Sequence, residues 1–284
     1  MIPTSFEYKR AGSVSEALQM LKSHGDDAKL LSGGHSLIPA LKLRLNNPGV
    51  VIDISKIEAL KSIALDGETL TIGANCTHAQ IASSDAVRAH MPMICETAGK
   101  IGDIQVRNVG TIGGSVAHAD PAADWPTVLI AAQANIQMEG PGGRRSVAAT
   151  EFFEGLYMTV LADDEIITAI QIPSAPGCSS AYAKFVQPAS RFALVGCGVC
   201  LKVEGGTISS ATVALGGVGD HPVRDAAVEE ALKGQPANED TAASAAEKAA
   251  ESIDIMSDHF ADEAYRKQMA KVFTRRALVA ALSS

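Results

Sequence analysis

Two glycine pairs, Gly33-Gly34 and Gly113-Gly114, carry the most evident chemistry of this sequence, and that chemistry is anion binding. A diphosphate needs several backbone N–H groups converging on it with no side chain in the way, and a helix N-terminus adds partial positive charge. Glycine can take positive φ angles and admit a phosphate against the main chain. His35 and Ser36 supply polar hydrogens beside the first pair, and Thr111 and Ser115 supply hydroxyls beside the second. A single pair is most simply a turn. Two at matching strand-to-helix junctions point to a phosphate-bearing ligand, and spacing alone goes no further. No G-x-G-x-x-G follows the first strand with an acidic residue about 20 positions later, and no G-x-x-x-x-G-K-[ST] occurs, which disfavours Rossmann and P-loop enzymes.

The elements that must position these loops are legible in the hydrophobic pattern. Lys29 to Leu31 reads as a short strand, and Leu37 to Leu43 resumes with helix formers. Val50 to Ile54 reads as a buried strand. Thr69 to Ile72 alternates like a strand, turns through Gly73-Ala74-Asn75 and reaches Thr77, a helix N-cap ahead of His78. Val109 to Ser115 reads as a further loop, with a helix starting near Asp120 to Asp124 and running through Ala132. Strands alternating with helices imply an α/β region. Pro173 to Gly177 marks a domain boundary. Beyond it, Phe192 to Val203 and Thr207 to Leu215 form an expected β-hairpin turning at Glu204-Gly205-Gly206. Helices follow over Ala242 to Ser252 and, from the spacing of Tyr265, Met269, Val272, Phe273 and Arg276, in a segment running to Leu282.

A chain of 284 residues with 46% hydrophobic content can bury a substantial core as one large domain or two modest ones. Twenty-four Lys and Arg against 32 Asp and Glu leave a formal charge of -8, which argues against nucleic acid or an anionic membrane as partner. The apolar runs are too short to span a bilayer and the N-terminal residues lack signal-peptide character, so the cytoplasm is the expected compartment. Five scattered cysteines are expected to be reduced thiols.

Other reactive residues have simpler readings. His35 belongs to a loop better explained by backbone contacts than by general-base catalysis. His118, Asp120 and Asp124 match no metal-ligand spacing. Cys197 and Cys200 form a C-x-x-C inside a strand-like run, where residues three apart face opposite sides, so buried thiols are expected. Arg107 and Asn108 are expected to shape the second loop or face a partner, and Trp125 to be core. Arg266, Arg275 and Arg276 read as a solvated or interface face.

At these same residues the sequence resembles a known family, the FAD-binding medium subunits of molybdenum hydroxylases, including the medium chain of aerobic carbon monoxide dehydrogenase and the flavin domain of xanthine dehydrogenase. SGGHSLIPALKLRL at Ser32 to Leu45 is similar to the first flavin motif, and GTIGGSVAHADPAADWP at Gly110 to Pro126 to the second. IGANCTHAQI at Ile72 to Ile81, YAKFVQPASRFALVG at Tyr182 to Gly196 and AYRKQMAKVFTRRAL at Ala264 to Leu278 extend the likeness over nearly the whole chain. Ser115 departs from the Asp or Asn frequent there.

The resemblance implies an α+β protein: a two-part FAD-binding domain of the vanillyl-alcohol-oxidase (PCMH) type over residues 1–175, with parts at about 1–55 and 56–175, then a C-terminal domain of antiparallel sheet and helices over 178–284. Carried over by position, Ser32, Gly33, Gly34, His35 and Ser36 with Thr111, Ile112, Gly113, Gly114 and Ser115 hold the pyrophosphate of a non-covalent FAD. Asp124 bonds the sugar or pyrophosphate region and Leu161 packs near the adenine. Lys184 and Phe192 lie near the isoalloxazine, as a cation and an aromatic cover. No catalytic residue and no metal ligand is implied on this chain.

The function so implied is an electron relay from the [2Fe-2S] clusters of a small subunit through FAD to an external acceptor, with substrate oxidised at a molybdenum cofactor on a large subunit. A dimer of heterotrimers is the expected assembly, and peripheral association with the inner membrane through the complex is compatible with it. The alternative is a self-sufficient flavin oxidoreductase with its own substrate pocket, and a further one is a non-enzymatic nucleotide-binding module. Substrate and acceptor are not legible in this chain.

Overall fold

Val50, Val51 and Ile52, β-branched and buried in succession, form the centre of the first layer, because a strand covered on both faces needs no polar alternation. A computed structural model describes residues 1–283 of the chain. Strands β1 (Glu7–Arg10), β2 (Ala28–Leu31) and β3 (Val50–Asp53) make a parallel sheet in the order β1-β3-β2. Helix α1 (Val14–His24) starts at Ser13, whose hydroxyl accepts from the Glu16 N–H, and buries Ala17 and Leu21 against Ile52. Helix α2 (Leu37–Leu43) follows β2 across the loop 32–36. Ile57 and Leu60 belong to this core, so the first part extends past the expected edge at 55.

The second layer is an antiparallel sheet. Strands β4 (Ile63–Asp66), β5 (Thr69–Gly73), β6 (Asn135–Gly140) and β7 (Gly143–Ala148) are joined, after the small hairpin β8 (Phe153–Gly155) and β9 (Met158–Thr159), by β10 (Ile166–Pro173). The order is β4-β5-β10-β6-β7. Helices α3 (His78–Ala82), α4 (Asp85–His90), α5 (Pro92–Lys100), α6 (Ile104–Val109), α7 (Ile112–His118), α8 (Asp124–Ala131) and α9 (Ala149–Phe152) belong to this part.

Every residue of α8 is buried, as expected of a helix enclosed on all sides. On one side lies the C-terminal antiparallel sheet of β11 (Cys178–Val186), β12 (Ala193–Glu204), β13 (Thr207–Gly216) and β14 (Val223–Arg224), in that order. Two sheet glycines make this approach feasible. A Cβ on Gly198 would stand 3.0 Å from Ala131 Cβ, and one on Gly216 would collide with Thr127. Helices α10 (Ala226–Leu232), α11 (Glu239–Ala246) and α12 (Glu263–Leu282) complete the C-terminal domain. Among the described residues no helix is long and apolar enough to cross a membrane.

Three expectations are corrected. The stretch Val109 to Ser115 is the junction of two short helices, α6 and α7, capped by the Thr111 hydroxyl, and not a strand-to-helix loop. The helix expected to reach Ser252 ends at Ala246, because Ala250 adopts φ 59° to give its N–H to Asp225 Oδ2 at 2.7 Å. Arg266 is 2% exposed, not on a solvated face. Its Nη1 donates to the carbonyls of Leu194 (2.7 Å) and Gly217 (2.6 Å), and its Nη2 to Asp258 Oδ2 at 2.6 Å. Arg275 and Arg276 are exposed, the latter over the Phe273 ring.

Removing a buried cation strands its partners, so Arg266→Met is expected to lower unfolding free energy by roughly 3 kcal/mol, since the Asp258 end is part-solvated. Urea denaturation of the two proteins measures this, and a loss below about 1 kcal/mol would show that water replaces the guanidinium at little cost.

Candidate functional site

Three chain segments meet here backbone to backbone. Ile112 N–H donates to Cys76 O at 3.1 Å, Gly113 N–H to Ala74 O at 2.9 Å and His78 N–H to Gly110 O at 3.0 Å, pairing the turn after β5 with the start of α7. Gly33 lies against that pair, where a Cβ would press on the Val109 carbonyl and stand 2.9 Å from Gly110 Cα. A Cβ on Gly113 would stand 2.6 Å from Ala74 Cβ. These two glycines are therefore required by chain-on-chain packing. Gly34 is required by its φ of 74°, and Gly114 is the exposed member, with only Thr111 Oγ1 near its missing Cβ, at 2.9 Å.

The two loops differ in what they offer an anion. Among the described residues the N–H groups of Gly33, Gly34, His35 and Ser36 donate to no protein acceptor. In the second segment the N–H groups of Ile112 and Gly113 are already spent, and that of Gly114 leans on Thr111 Oγ1 at 3.2 Å. Consecutive free amides make a concave nest for an acceptor-only group, so the first loop is the cradle and the second its opposing wall. Asn75, which the sequence offers only as part of a turn, ties them together. Its Oδ1 accepts from Ser32 Oγ at 2.6 Å, its Nδ2 donates to Ile54 O at 2.7 Å, and Ser32 Oγ lies 2.9 Å from Thr111 Oγ1.

The first loop lines a cleft of about 650 Å³, within the range of small-molecule sites. Ser32, Gly33, Gly34, His35, Ser36, Thr111, Gly113, Gly114, Ser115, Asp124, Leu161 and Phe192 all line it. Ile112 and Lys184 do not: Ile112 is wholly within the core, and the Lys184 side chain is 4% exposed. Beyond Asn75, sequence reasoning assigned no binding role to Tyr157, which stacks on His118 with ring centroids 5.1 Å apart, or to Arg191, held at φ 63°. Neither has a local sequence signal.

Asp124 and Lys184 are together, but as a buried strut. Asp124 accepts from Tyr182 Oη at 2.6 Å and from Lys184 Nζ at 2.9 Å. The ammonium also donates to Lys100 O at 3.0 Å and Arg191 O at 2.8 Å, which uses all three of its hydrogens. Burial pushes the Asp124 carboxyl up, against the pull of Lys184 and the Tyr182 hydroxyl. The pair thus pins the turn 187–192, which carries Phe192, onto α5 and α8.

His78 stands at the meeting of the segments, 4% exposed. Trp125 Nε1 donates to its Nδ1 at 3.1 Å. Burial, with His35 and Arg107 adding to it, pushes the ring down to about 4, so it is neutral near pH 7. Arg107 spends its Nη1 on the carbonyls of Ile101 and Gly102. Cys197 and Cys200 are buried thiols on β12, both pushed up to about 12 by burial. Among the described residues no three His, Cys, Asp or Glu side chains gather as a metal would need.

Comparison with known proteins covers the whole chain. The family model described as the FAD binding domain in molybdopterin dehydrogenase matches residues 4–175, and that of the CO dehydrogenase flavoprotein C-terminal domain matches 180–281. The chain is 40% identical to the carbon monoxide dehydrogenase medium chain of Hydrogenophaga pseudoflava, over 99% of this chain and 98% of that one. It is 38% identical to the glyceraldehyde dehydrogenase medium chain of Sulfolobus acidocaldarius, over 98% of each. The solved carbon monoxide dehydrogenase from Hydrogenophaga pseudoflava lacking the Mo-pyranopterin moiety superposes with a TM-score of 0.96 at 42% identity, covering 100% of this chain and 99% of that one. Quinoline 2-oxidoreductase from Pseudomonas putida 86 does so at 0.95 and 31%, with the same coverage.

A buried neutral histidine binds its proton more weakly folded than unfolded, so the unfolded chain takes up more protons between the two pKa values and stability is lost as pH is lowered through that window. From about pH 6.5 down to about 4 the His78 contribution is a loss on the order of 3 kcal/mol. Thermal unfolding of wild type and His78→Gln across that window isolates it, because the carboxylates titrate in both. Identical pH profiles would refute a buried neutral ring.

Proposed function

The chain belongs to the FAD-binding medium subunits of molybdenum-dependent dehydrogenases, and on that footing we propose that it grips one FAD non-covalently in the cleft and relays electrons for a partner. Its fold is accordingly the two-part flavin domain of the vanillyl-alcohol-oxidase type with the C-terminal flavoprotein domain, and its cofactor is FAD. When bound, FAD supplies a centre that takes up and releases electrons singly or in pairs.

The observation that carries the reading is the run of free amides at 33–36 lining the cleft. In the proposed mode these amides face the diphosphate, with Ser36 and Ser115 hydroxyls at hand and Thr111, Gly113 and Gly114 as the far wall. Leu161 packs beside the adenine and Phe192 covers the ring. Asp124 and Lys184 act at one remove, holding the turn that carries Phe192. None of these residues needs to move a proton, because the chain's task is placement.

Electrons reach the ring from [2Fe-2S] clusters of a small subunit and leave for an external acceptor, while substrate is oxidised at the molybdenum cofactor of a large subunit, the whole forming a dimer of heterotrimers. Two features support partners. Relatives bear the name medium chain or medium subunit, and Ile38, Leu43, Leu45, Ile104 and Val109 expose apolar surface on and beside α2 and α6, which flank the glycine loops.

Native purification is expected to recover this chain in a complex containing molybdenum, iron and flavin. A catalytically complete flavoprotein recovered alone would select the self-sufficient oxidoreductase. Gly33→Val, which drives the loops apart, and Gly114→Val, which projects into the cleft, are both expected to lose flavin absorbance, and full occupancy in both would count against this binding mode.

A further inference from the structure

We infer that His78 is a further cofactor-binding residue of the cleft, its Nε2–H donating to an acceptor-only oxygen of the bound diphosphate. The inference rests on the reading that the cleft holds FAD.

The first step is the tautomer. An indole N–H can only donate, so the Trp125 Nε1 contact at 3.1 Å requires a lone pair on His78 Nδ1. Trp125 is fully buried within α8, so it holds that requirement in place. A neutral ring with Nδ1 bare carries its proton on Nε2.

The second step is the missing partner. Among the described residues Nε2 has no acceptor, and a buried donor without one is costly. Yet it is not among the sealed, unpartnered atoms, which are Thr97 Oγ1, Arg266 Nε and Thr274 Oγ1. With the residue 4% exposed and lining the cleft, the cleft is where that nitrogen opens. Val106 O, which a Cβ on Gly110 would meet along with the His78 ring, takes the Gly110 N–H at 2.7 Å.

The third step is the surroundings. The absence of a side chain at Gly110 lets its main chain pack close to the ring, since a Cβ there would stand 2.9 Å from Nε2. The His78 main chain donates to Gly110 O and Thr77 bridges Thr111, so the residue is fixed to the turn between α6 and α7 that leads into the second glycine segment. A Trp-oriented neutral imidazole is thus one more fixed N–H donor in a site otherwise built from backbone N–H groups, and a phosphate oxygen, which only accepts, is the ligand atom that matches it.

The full-length chain labelled with ¹⁵N tests this by imidazole NMR. The expected result is a bare Nδ1, a proton on Nε2, and a shift of that proton on adding FAD or ADP but not riboflavin. A proton on Nδ1, no shift with FAD bound, or a shift with riboflavin and not ADP would each overturn the assignment. In titrations followed by flavin fluorescence, His78→Gln, which can both accept from Trp125 and donate to the ligand, is expected to bind FAD nearly as wild type. His78→Phe should bind it roughly tenfold more weakly or worse, and unchanged affinity there would overturn the role. If the Phe variant fails to fold, the wild-type NMR decides. A wild-type chain that binds no FAD sinks the underlying reading together with this one, whereas FAD binding with a silent His78 sinks only this one.

Discussion

The cleft depends on a single packing constraint, the approach of three main-chain segments to distances that side chains forbid. Gly33 against Gly110, and Gly113 against Ala74, leave no room for a Cβ, and the hydrogen bonds from Ile112, Gly113 and His78 then zip the turn after β5 to the start of α7. Because those amides are consumed in holding the wall, the proposed anion cradle falls to the loop 32–36, whose amides from Gly33 to Ser36 are free among the described residues. The same contact joins the parallel sheet to the antiparallel one, so the cradle and the junction of the two parts are one structure. Asn75 reinforces it by bonding Ser32 on one side and the Ile54 carbonyl on the other.

A second junction sets the far end. Helix α8 lies flat on β12 and β13 because Gly198 and Gly216 present no side chain to it, and that places Asp124 beside Tyr182 and Lys184 of β11. A carboxylate and an ammonium this deeply buried are tolerated only when paired and saturated with hydrogen bonds. Here the saturation has a geometric product, since the third lysine hydrogen goes to the Arg191 carbonyl and fixes the turn bearing Phe192. Arg266 holds the start of β12, just after that turn, through the Leu194 carbonyl.

What the sequence made legible is local. The first glycine pair, the Thr77 cap, the Pro-rich break between β10 and β11 and the hairpin at Glu204-Gly206 announce themselves within a few residues, and each stands where expected. What it concealed is non-local. Ser32 meets Asn75 across 43 residues, His78 meets Trp125 across 47, and Arg266 meets Leu194 across 72, separations at which no spacing rule operates. The misreading of 109–115 has a different origin. Glycine lowers helix propensity, but α7 is held by a threonine cap and by bonds to a neighbouring turn, so tertiary contact overrides the local preference.

The way the donors are supplied bears on the proposed relay of electrons. A cation near the flavin ring would favour its reduced, anionic form, and Lys184 is the residue whose position suggested that effect. Its ammonium sits 2.9 Å from the Asp124 carboxylate, so at the distance of the cleft the pair acts as a dipole and not as a net charge. The cradle likewise offers amide and imidazole N–H dipoles in place of ion pairs. Arg191 also lines the cleft, and its guanidinium has no partner among the described residues. A site of fixed dipoles holds its ligand without depending on the protonation of a carboxylate or lysine near neutral pH. That suits a centre that must stay bound through changes of charge as electrons arrive and leave.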